Sequence, residues 1–299
     1  MRTTVIATGG TIAWHEQHRR MLSGAELLTA SGETADEVIE LDPVPSSDLS
    51  ISAMVRIAGR VRRAIEEGSG SVVVTHGTDT IEETAWLTEL TLGAALRQRA
   101  AVLFTGAMRF ADDASPDGPG NLAWALRAGR EPGAAGRGAQ VAWAGQLHPA
   151  RWVRKVDAAA ADPFGGAGRQ AASHEPPEPG PALNLDVALL KVGPVARPPV
   201  PGGVAGVVLE GTGAAHVPST YHAVIGDLVG QGVPVVLASR CADVDRTRTA
   251  GDPVLYAGDL TAEKAAIALM VGLGRHPQLA DLRGWWSDLL ARGAAGTGT

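Results

Sequence analysis

The sequence predicts an α/β fold with a larger N-terminal parallel-sheet domain and a smaller C-terminal α/β domain. Short apolar or β-branched runs alternate with stretches of helical periodicity, a pattern typical of βαβ units. The chain has 299 residues, 45% of them hydrophobic, which is enough for two domains with separate cores. A stretch rich in glycine and proline interrupts the alternation after residue 165. Together these observations indicate two α/β units joined by a linker.

The interruption sets the predicted domain boundary. It begins with a Gly-Gly-Ala-Gly run and continues through Glu-Pro-Pro-Glu-Pro-Gly-Pro, with few apolar side chains to bury. We therefore predict an N-terminal α/β domain over residues 1–165, a linker over 166–185 and a C-terminal α/β domain over 186–299.

Strands and helices alternate in each predicted domain. In the first, the predicted strands are Thr4–Ala7, Ser71–Thr75 and Ala101–Thr105, and the predicted helices are Ala25–Leu28, Met54–Glu67, Ile81–Leu92 and Asn121–Ala128. In the second, the predicted strands are Asp186–Val192, Gly206–Leu209 and Val233–Ala238, and the predicted helices are Tyr221–Gly230 and Thr261–Leu273. Apolar residues of the segment 54–67 recur near the helical period, so we expect that face to lie in the core.

Composition excludes several classes of function. The net charge is −6 and no stretch concentrates basic residues, so the sequence lacks the field that attracts nucleic acid. Cys241 is the single cysteine, and no Cys/His cluster has metal-ligand spacing, so we expect neither a disulfide nor a metal site. No apolar run approaches the roughly 18 residues of a membrane span, and the N-terminus lacks a leader pattern. We expect a soluble, cytoplasmic protein without nucleic-acid or membrane partners, and a mature chain whose leader was removed is the alternative.

The first predicted strand ends in a glycine pair. Gly9 and Gly10 precede Thr11, and adjacent glycines allow backbone conformations and close approaches that other residues do not. Open parallel sheets bind ligands at the carboxyl edge of their strands, so we expect the Thr11 hydroxyl at that edge. An ordinary tight turn is the alternative interpretation. The segment lacks the G-x-G-x-x-G spacing of a dinucleotide loop.

The second predicted strand runs into a cluster of polar residues, Thr-His-Gly-Thr-Asp-Thr at 75–80. The cluster lies where a helix is predicted to begin, so free backbone N–H groups there suit a carboxylate or an oxyanion. The alternative is helix capping by Asp79 or Thr80, with Glu82 or Glu83 reaching back. Capping explains one or two of these residues but not the whole cluster.

The third predicted strand ends at the same edge of the sheet. It leads into Gly-Ala-Met-Arg at 106–109, and a turn rich in Pro, Gly and Asp then precedes a helix. We interpret Asp117 and Asn121 as turn and cap residues.

Together these segments resemble the bacterial-type L-asparaginase/glutaminase family. The matching motifs are Thr-Gly-Gly-Thr-Ile at 8–12, Thr-His-Gly-Thr-Asp-Thr at 75–80, Gly-Ala-Met-Arg at 106–109 and Asp-Gly-Pro-x-Asn-Leu at 117–122. A similar Ala-Gly-Asp-Leu-Thr segment at 257–261 extends the resemblance through nearly the whole chain. Several motifs in the same order make a chance resemblance improbable.

The resemblance implies an amidohydrolase that converts L-asparagine to L-aspartate and ammonia, with some L-glutaminase activity, in asparagine catabolism. It implies that Thr11 is the nucleophile of an acyl-enzyme mechanism and that Thr78, Asp79 and a lysine form an activating set. A threonine hydroxyl is a weak nucleophile until a base removes its proton, so such a set is needed. The predicted catalytic domain is therefore the one over residues 1–165. The resemblance implies no cofactor, an amino-acid substrate and a homodimer or homotetramer.

The lysine of the set is assigned to Lys155. The family's lysine lies nine residues before an aromatic residue, and Lys155 precedes Phe164 by nine. Only three of the 26 basic residues are lysines, and an arginine directly precedes this one. Because an arginine does not lose its proton near neutral pH, a lysine at this position indicates a base. A surface lysine is the alternative.

The resemblance also implies substrate contacts. The family holds the α-carboxylate with a Ser-Gln pair after the first helix, and Ser46 and Ser47 stand at the matching positions, so one amide donor is lost. An ordinary helix start is the alternative for this segment. Asp79 is expected to pair with the substrate α-ammonium, and Gly77 and Ala107 to contact the substrate.

Two departures from the family concern the activation of Thr11. The family carries a tyrosine on a mobile lid, whereas this chain has no tyrosine before Tyr221 and offers a shortened polar lid in which His15 or His18 is a candidate base. The family also borrows an asparagine from a neighbouring subunit. Ala214 stands at that position, so the contact is either absent or made by His216.

Two further hypotheses compete with catalysis on free asparagine. The asparaginase-like component of a tRNA amidotransferase has an added N-terminal domain, and we expect this chain to be too short for that role because its first predicted strand begins at residue 4. An amino-acid-binding module of the same fold, with weak or no turnover, stays open because the lid tyrosine is missing. The presence of the four predicted catalytic residues together favours an enzyme.

Overall fold

A computed structural model describes residues 1–166, 183–194, 199, 202–241 and 253–294. It divides into two compact units, Met1–Glu178 and Pro179–Thr299. Residues 167–182 of the predicted linker lie outside the described residues, so the linker bounds stay a prediction. We describe each unit by itself.

The first unit alternates strands and helices along the chain. Its strands are β1 (Thr3–Ala7), β2 (Trp14–His15), β3 (Arg20–Met21), β4 (Glu37–Glu40), β5 (Ser71–Thr75), β6 (Ala101–Thr105), β7 (Ala139–Trp143), β8 (Gln146–Pro149), β9 (Arg154–Lys155) and β10 (Phe164–Gly165). Its helices are α1 (Gly24–Ser31), α2 (Ile51–Glu66), α3 (Ile81–Leu92), α4 (Ala94–Arg97) and α5 (Gly118–Arg130).

Six of these strands form the main sheet, in the order β4-β1-β5-β6-β7-β8. All neighbours are parallel except β7 and β8, which are antiparallel. In the central register Ala7 pairs with Thr75, and Thr75 pairs with Thr105. Strands β1, β5 and β6 therefore end side by side, and the three predicted motif loops leave the sheet from one edge.

The sheet is buried on both faces, as helical crossovers require. Alternate residues of one strand point to opposite sides, so Val72 and Val74 pack in a core that includes side chains of α2 and α3. Val73 points the other way and packs with residues of α1 and α5. Strand β5 is therefore packed on both faces, and the polar cluster at 75–80 begins at its carboxyl end.

The second unit contains a smaller parallel sheet. Its strands are β11 (Val187–Lys191), β12 (Gly206–Gly211), β13 (Val235–Ser239) and β14 (Leu255–Tyr256), in that spatial order, and its helices are α6 (His222–Gly230), α7 (Ala262–Arg275) and α8 (Leu279–Ala294). Val207, Leu209 and Val235 lie in its hydrophobic core. The predicted α/β class, with a larger and a smaller parallel-sheet unit, is confirmed. In the part of the chain that the structure describes, no helix has the length and apolar character needed to cross a membrane.

Candidate active site

The loop after β1 is shaped by its glycine pair. Gly9 and Gly10 have φ values of 89° and 85°, a region that residues with a Cβ atom rarely adopt. A Cβ atom on Gly10 would lie 2.5 Å from the Cα atom of Gly77 in the neighbouring loop. The first and second motif loops therefore touch backbone to backbone, and Thr11 follows directly in a partly exposed turn.

Ser46 packs against the second motif loop. A Cβ atom on Gly77 would lie 2.5 Å from the Ser46 Oγ atom. That hydroxyl accepts a hydrogen bond of 3.1 Å from the Asp79 backbone N–H, and the Thr80 hydroxyl donates one of 2.9 Å to the Ser46 carbonyl. Thr80 occupies the N-cap position of α3 but makes no side-chain capping bond. Side-chain capping therefore does not account for Thr80, because its hydroxyl holds the 46–48 turn in place.

The Lys155 side chain contacts the second motif loop, although the two are far apart in the sequence. Its Nζ atom lies 2.9 Å from the Thr78 Oγ1 atom and 2.7 Å from an Asp79 carboxylate oxygen. The Lys155 side chain is 17% exposed and that of Asp79 is 59% exposed. The structure thus brings together three of the four predicted catalytic residues in direct contact.

The strand that carries Lys155 is fixed on two sides. The Lys155 backbone N–H donates to a Glu82 carboxylate oxygen at 3.2 Å, from the first turn of α3. Across the β9–β10 ladder Lys155 pairs with Phe164, whose ring meets that of Trp143 edge to face with 5.1 Å between the centroids. The Trp143 indole N–H also donates to the Ala161 carbonyl at 2.9 Å. These contacts attach the lysine strand to the core of the main sheet.

The third motif loop is organised by Asp117 and Asn121. Asp117 takes the N-cap position of α5, but its carboxylate accepts from the backbone N–H groups of Met108 and Arg109, both at 2.9 Å. The Asn121 amide donates to the Gly106 carbonyl at 3.1 Å. The interpretation as turn and cap residues was therefore incomplete, because both side chains also fix the preceding loop. Ala107, a predicted substrate contact, lies between these anchored residues.

His76 is the buried histidine of the second motif loop. It is 1% exposed, and its Nδ1 atom lies 2.8 Å from the Gly77 carbonyl oxygen. Because a carbonyl only accepts, the tautomer with the proton on Nδ1 fits this contact. Among the described residues the Nε2 atom has no hydrogen-bond partner. Burial lowers the pKa of His76 to about 4, so the ring is neutral near neutral pH.

A cavity of about 490 Å³ opens where the three motif loops meet. The predicted site residues that line it are Thr11, Ser46, Gly77, Thr78, Asp79, Ala107 and Lys155. Ser47 is exposed and is not among the lining residues, so the cavity gives its predicted substrate role no support. No partner for the Thr11 hydroxyl is present in the described part of the chain.

Sequence reasoning missed the apolar part of the lining. Trp14, Met21, Met108 and Phe110 all face the cavity. The first two belong to a short hairpin in which β2 pairs with β3, at the place of the predicted polar lid. His15 and His18, the candidate bases, are not among the lining residues. The signal available was the mixture of aromatic and sulfur side chains beside the first and third motifs.

Among the described residues, no group of three or more His, Cys, Asp or Glu side chains is arranged to hold a metal ion. The polar side-chain groups that line the cavity are three hydroxyls, one lysine nitrogen and one carboxylate, and the cavity has a size that small ligands use.

Comparison with known proteins agrees with this arrangement. Residues 2–174 match the family described as "Asparaginase, N-terminal", and residues 196–285 match "Glutaminase/Asparaginase C-terminal domain". The chain belongs to the asparaginase family. A protein named probable L-asparaginase from Deinococcus radiodurans is 40% identical over 168 residues, covering 55% of this chain and about half, 51%, of that protein. An L-asparaginase of Bacillus licheniformis is 27% identical over 315 residues, covering 93% of this chain and 97% of that protein.

Other relatives of this chain carry a different name. One component of the glutamyl-tRNA(Gln) amidotransferase of Halobacterium salinarum is 30% identical over 311 residues, which cover 86% of this chain and 70% of that protein. The fold is shared with the crystal structure of a probable cytoplasmic L-asparaginase from Campylobacter jejuni, with a TM-score of 0.82 and 24% identity over 96% of this chain and 99% of that one. Membership of the family therefore fixes the fold of this chain. The relatives themselves carry two different names, L-asparaginase and amidotransferase subunit.

Proposed function

We propose that this asparaginase-family protein is an amidohydrolase that converts L-asparagine to L-aspartate and ammonia, with some activity on L-glutamine. The observation that carries the proposal is the contact of Lys155 Nζ with both Thr78 Oγ1 and an Asp79 oxygen, at 2.9 and 2.7 Å. A hydroxyl, a lysine nitrogen and a carboxylate linked by hydrogen bonds can relay protons between a nucleophile and a leaving group, which each of the two steps of amide hydrolysis requires. The relatives named L-asparaginase support the same reaction.

In the proposed reaction Thr11 is the nucleophile. Its oxygen attacks the side-chain amide carbon, a base takes its proton and passes it to the amide nitrogen, and the tetrahedral intermediate collapses to an acyl-enzyme ester as the C–N bond breaks and ammonia leaves. Water then attacks the ester carbon, the C–O bond to Thr11 breaks, and a proton from that water passes to the Thr11 oxygen as aspartate leaves. Support comes from the position of Thr11 in the cavity that Thr78, Asp79 and Lys155 also line.

The α-amino and α-carboxylate groups of the substrate have candidate partners in the same cavity. One carboxylate oxygen of Asp79 contacts Lys155, which leaves the other for the substrate ammonium. The Ser46 hydroxyl accepts from the Asp79 backbone N–H, so its own proton is available to a carboxylate. Gly77 and Ala107 lie beside these groups in the lining.

The test is ammonia release by the purified protein, using initial rates on asparagine and glutamine over a wide concentration range. We expect Lys155→Met and Thr78→Val to lower kcat by roughly a thousandfold with little change in stability, since parts of one catalytic unit act together. Lys191→Met is the matched control, because Lys191 is 76% exposed and pairs with Glu210 in the second unit. Near-normal turnover by Lys155→Met would show that the lysine is not part of the mechanism.

Two other roles give different results in the same assay. A binding module of this fold binds asparagine in calorimetry but releases no ammonia above background at millimolar substrate. A component of a tRNA amidotransferase, the name that the Halobacterium relative carries, depends on further proteins for its full reaction. Turnover of free asparagine by this chain alone therefore favours the amidohydrolase.

Assembly and location are part of the proposal. The family resemblance supports a homodimer or homotetramer, which light scattering of the purified protein measures directly. A cytoplasmic location has the support of the Campylobacter relative, which is named a probable cytoplasmic L-asparaginase.

A further inference from the structure

Two separate segments contribute large apolar side chains to the lining of the cavity. One is the β2–β3 hairpin, residues 14–21, which follows the Thr11 turn and contributes Trp14 and Met21. The other is the loop after β6, which contributes Met108 and Phe110. The shape of the cavity beside these side chains therefore depends on how the hairpin is held against the loop.

Asp112 makes most of the polar contacts between the two segments. One of its carboxylate oxygens accepts from the Glu16 backbone N–H and the other from the Gln17 backbone N–H, both at 2.9 Å. The His15 Nδ1 atom lies 3.2 Å from the second oxygen. A backbone bond of 2.9 Å from Ala111 to the Trp14 carbonyl completes the junction. Bonds from N–H groups to a carboxylate are about twice as strong as those between neutral groups.

The environment of Asp112 favours its ionised form. Its side chain is only 11% exposed. The backbone N–H groups of Gln17 and Glu16 lower the pKa of its carboxyl below the ordinary value of an aspartate. Asp113, the next residue, is exposed, and among the described residues its carboxylate accepts a hydrogen bond only from the Ser115 backbone N–H, within its own loop.

The hairpin needs such an anchor. Its ladder has only two residue pairs, Trp14 with Met21 and His15 with Arg20, and a short two-stranded ladder is not stable by itself in water. Within the hairpin the Trp14 indole N–H donates to a Glu16 carboxylate oxygen at 2.6 Å, which orients the ring. Asp112 holds the backbone of the same Glu16, so the orientation of Trp14 depends on Asp112.

We propose that Asp112 is a positioning residue that fixes the 14–21 hairpin against the loop after β6 and so holds Trp14 and Met21 as walls of the substrate cavity. The inference deepens the proposed function, and its kinetic consequence rests on that function. Its structural consequence does not, and the two are measured separately.

The structural measurement is limited trypsin digestion of the full chain. Arg19 in the hairpin turn and Arg20 at the start of β3 are both exposed. Because a protease needs the surrounding backbone to open before it cuts, cleavage after either residue reports detachment of the hairpin. We expect Asp112→Asn, which has the same shape but loses the charge and one acceptor, to raise the initial cleavage rate at these bonds roughly tenfold. Asp113→Asn is the matched control and should leave the rate unchanged. Mass spectrometry identifies the bond, and an equal increase at sites elsewhere, or no increase, overturns the proposal.

The kinetic measurement separates positioning from general loss of structure. If the hairpin is docked only a tenth of the time, the apparent KM for asparagine rises about tenfold while kcat falls much less. A variant that is merely less stable loses active enzyme, which lowers apparent kcat and leaves KM unchanged. Unchanged KM in Asp112→Asn, despite faster cleavage, overturns the role of the hairpin as a cavity wall. If the wild-type protein has no turnover, the proposed function fails, and the digestion still decides whether Asp112 holds the hairpin.

Discussion

At the scale of single residues, His76 makes the stability of the folded protein depend on pH. Its pKa is lowered to about 4 by burial, whereas an unfolded chain has a histidine pKa near 6.5. Between these values the unfolded chain binds a proton that the folded chain does not, so stability falls as the pH falls. We expect the wild type to lose about 2 kcal/mol more than His76→Gln between about pH 7.5 and pH 5, measured by urea unfolding. Identical pH dependence of the two proteins would contradict a buried, neutral His76.

The glycine at the contact between the first two motif loops gives a second prediction. Gly10→Ala combines a φ of 85° with a clash against Gly77, and we expect it to lower the free energy of unfolding by about 3 kcal/mol or more. Gly32→Ala is the control, since Gly32 has a φ of 70° but open space around it, and should cost about 1 kcal/mol. Equal losses in urea unfolding would show that the loop contact relaxes freely.

Some residues of the site are predictable from the sequence and others are not. Thr78, Asp79 and Lys155 were predicted to act together because the resemblance to the family implies such a set, and the rarity of lysine in a chain that prefers arginine supported the choice of Lys155. Asp112 was not predictable, since an aspartate does not mark a site by itself and its contacts join segments far apart in the chain. Ser47 was predicted from resemblance to a pair, and the structure places only the first member in the cavity lining.

At the scale of elements, the β9–β10 hairpin positions Lys155 through Phe164. We expect Phe164→Leu to cost roughly 1 kcal/mol of stability and to lower kcat severalfold, because the ring contact with Trp143 is lost opposite the lysine. Ile57→Val in α2 is a buried control of similar cost that should leave kcat unchanged. Thermal unfolding and initial rates are compared on the same samples. Equal kcat values in the two variants would show that the ring contact between Phe164 and Trp143 does not contribute to the activity.

The same scale shows why several elements were not predicted. Strands β4 and β8 are the two edge strands of the main sheet and β7 lies next to β8, and at such positions pairing with neighbours rather than sequence pattern decides the conformation. Helix α8 is different, because Leu282, Trp285, Trp286 and Leu289 are buried at helical spacing. That signal was present in the sequence, and the prediction overlooked it.

At the scale of the whole molecule, the first unit buries a charged pair far from the chemistry. The Glu89 carboxylate lies 3.4 Å from an Arg97 nitrogen, and Arg97 is 2% exposed. Burial raises the pKa of Glu89, and Arg97 acts in the opposite direction. We expect Glu89→Gln to lower the free energy of unfolding by about 3 kcal/mol, because Arg97 is then left buried without a counter-charge.

An exposed ion pair is the control for that prediction. Glu66 lies 3.9 Å from Arg62 on α2, and both side chains are about half exposed, at 50% and 49%. Glu66→Gln should change the free energy of unfolding by less than about 0.5 kcal/mol. Similar losses in the two variants, measured by urea unfolding at one pH, would mean that the buried pair contributes no more than a surface pair.

The close contacts of the Gly10 backbone with Gly77 and of the Gly77 backbone with the Ser46 side chain bear on any attempt to change the substrate of this protein. Because there is no room for a Cβ atom at either glycine, a library that varies one of the three segments moves the other two. Substitutions in these segments should show strong epistasis, and exchange of a single loop with a relative should fail more often than exchange of all three. The apolar positions Met21, Met108 and Phe110 line the same cavity outside those contacts, and they are the places to begin.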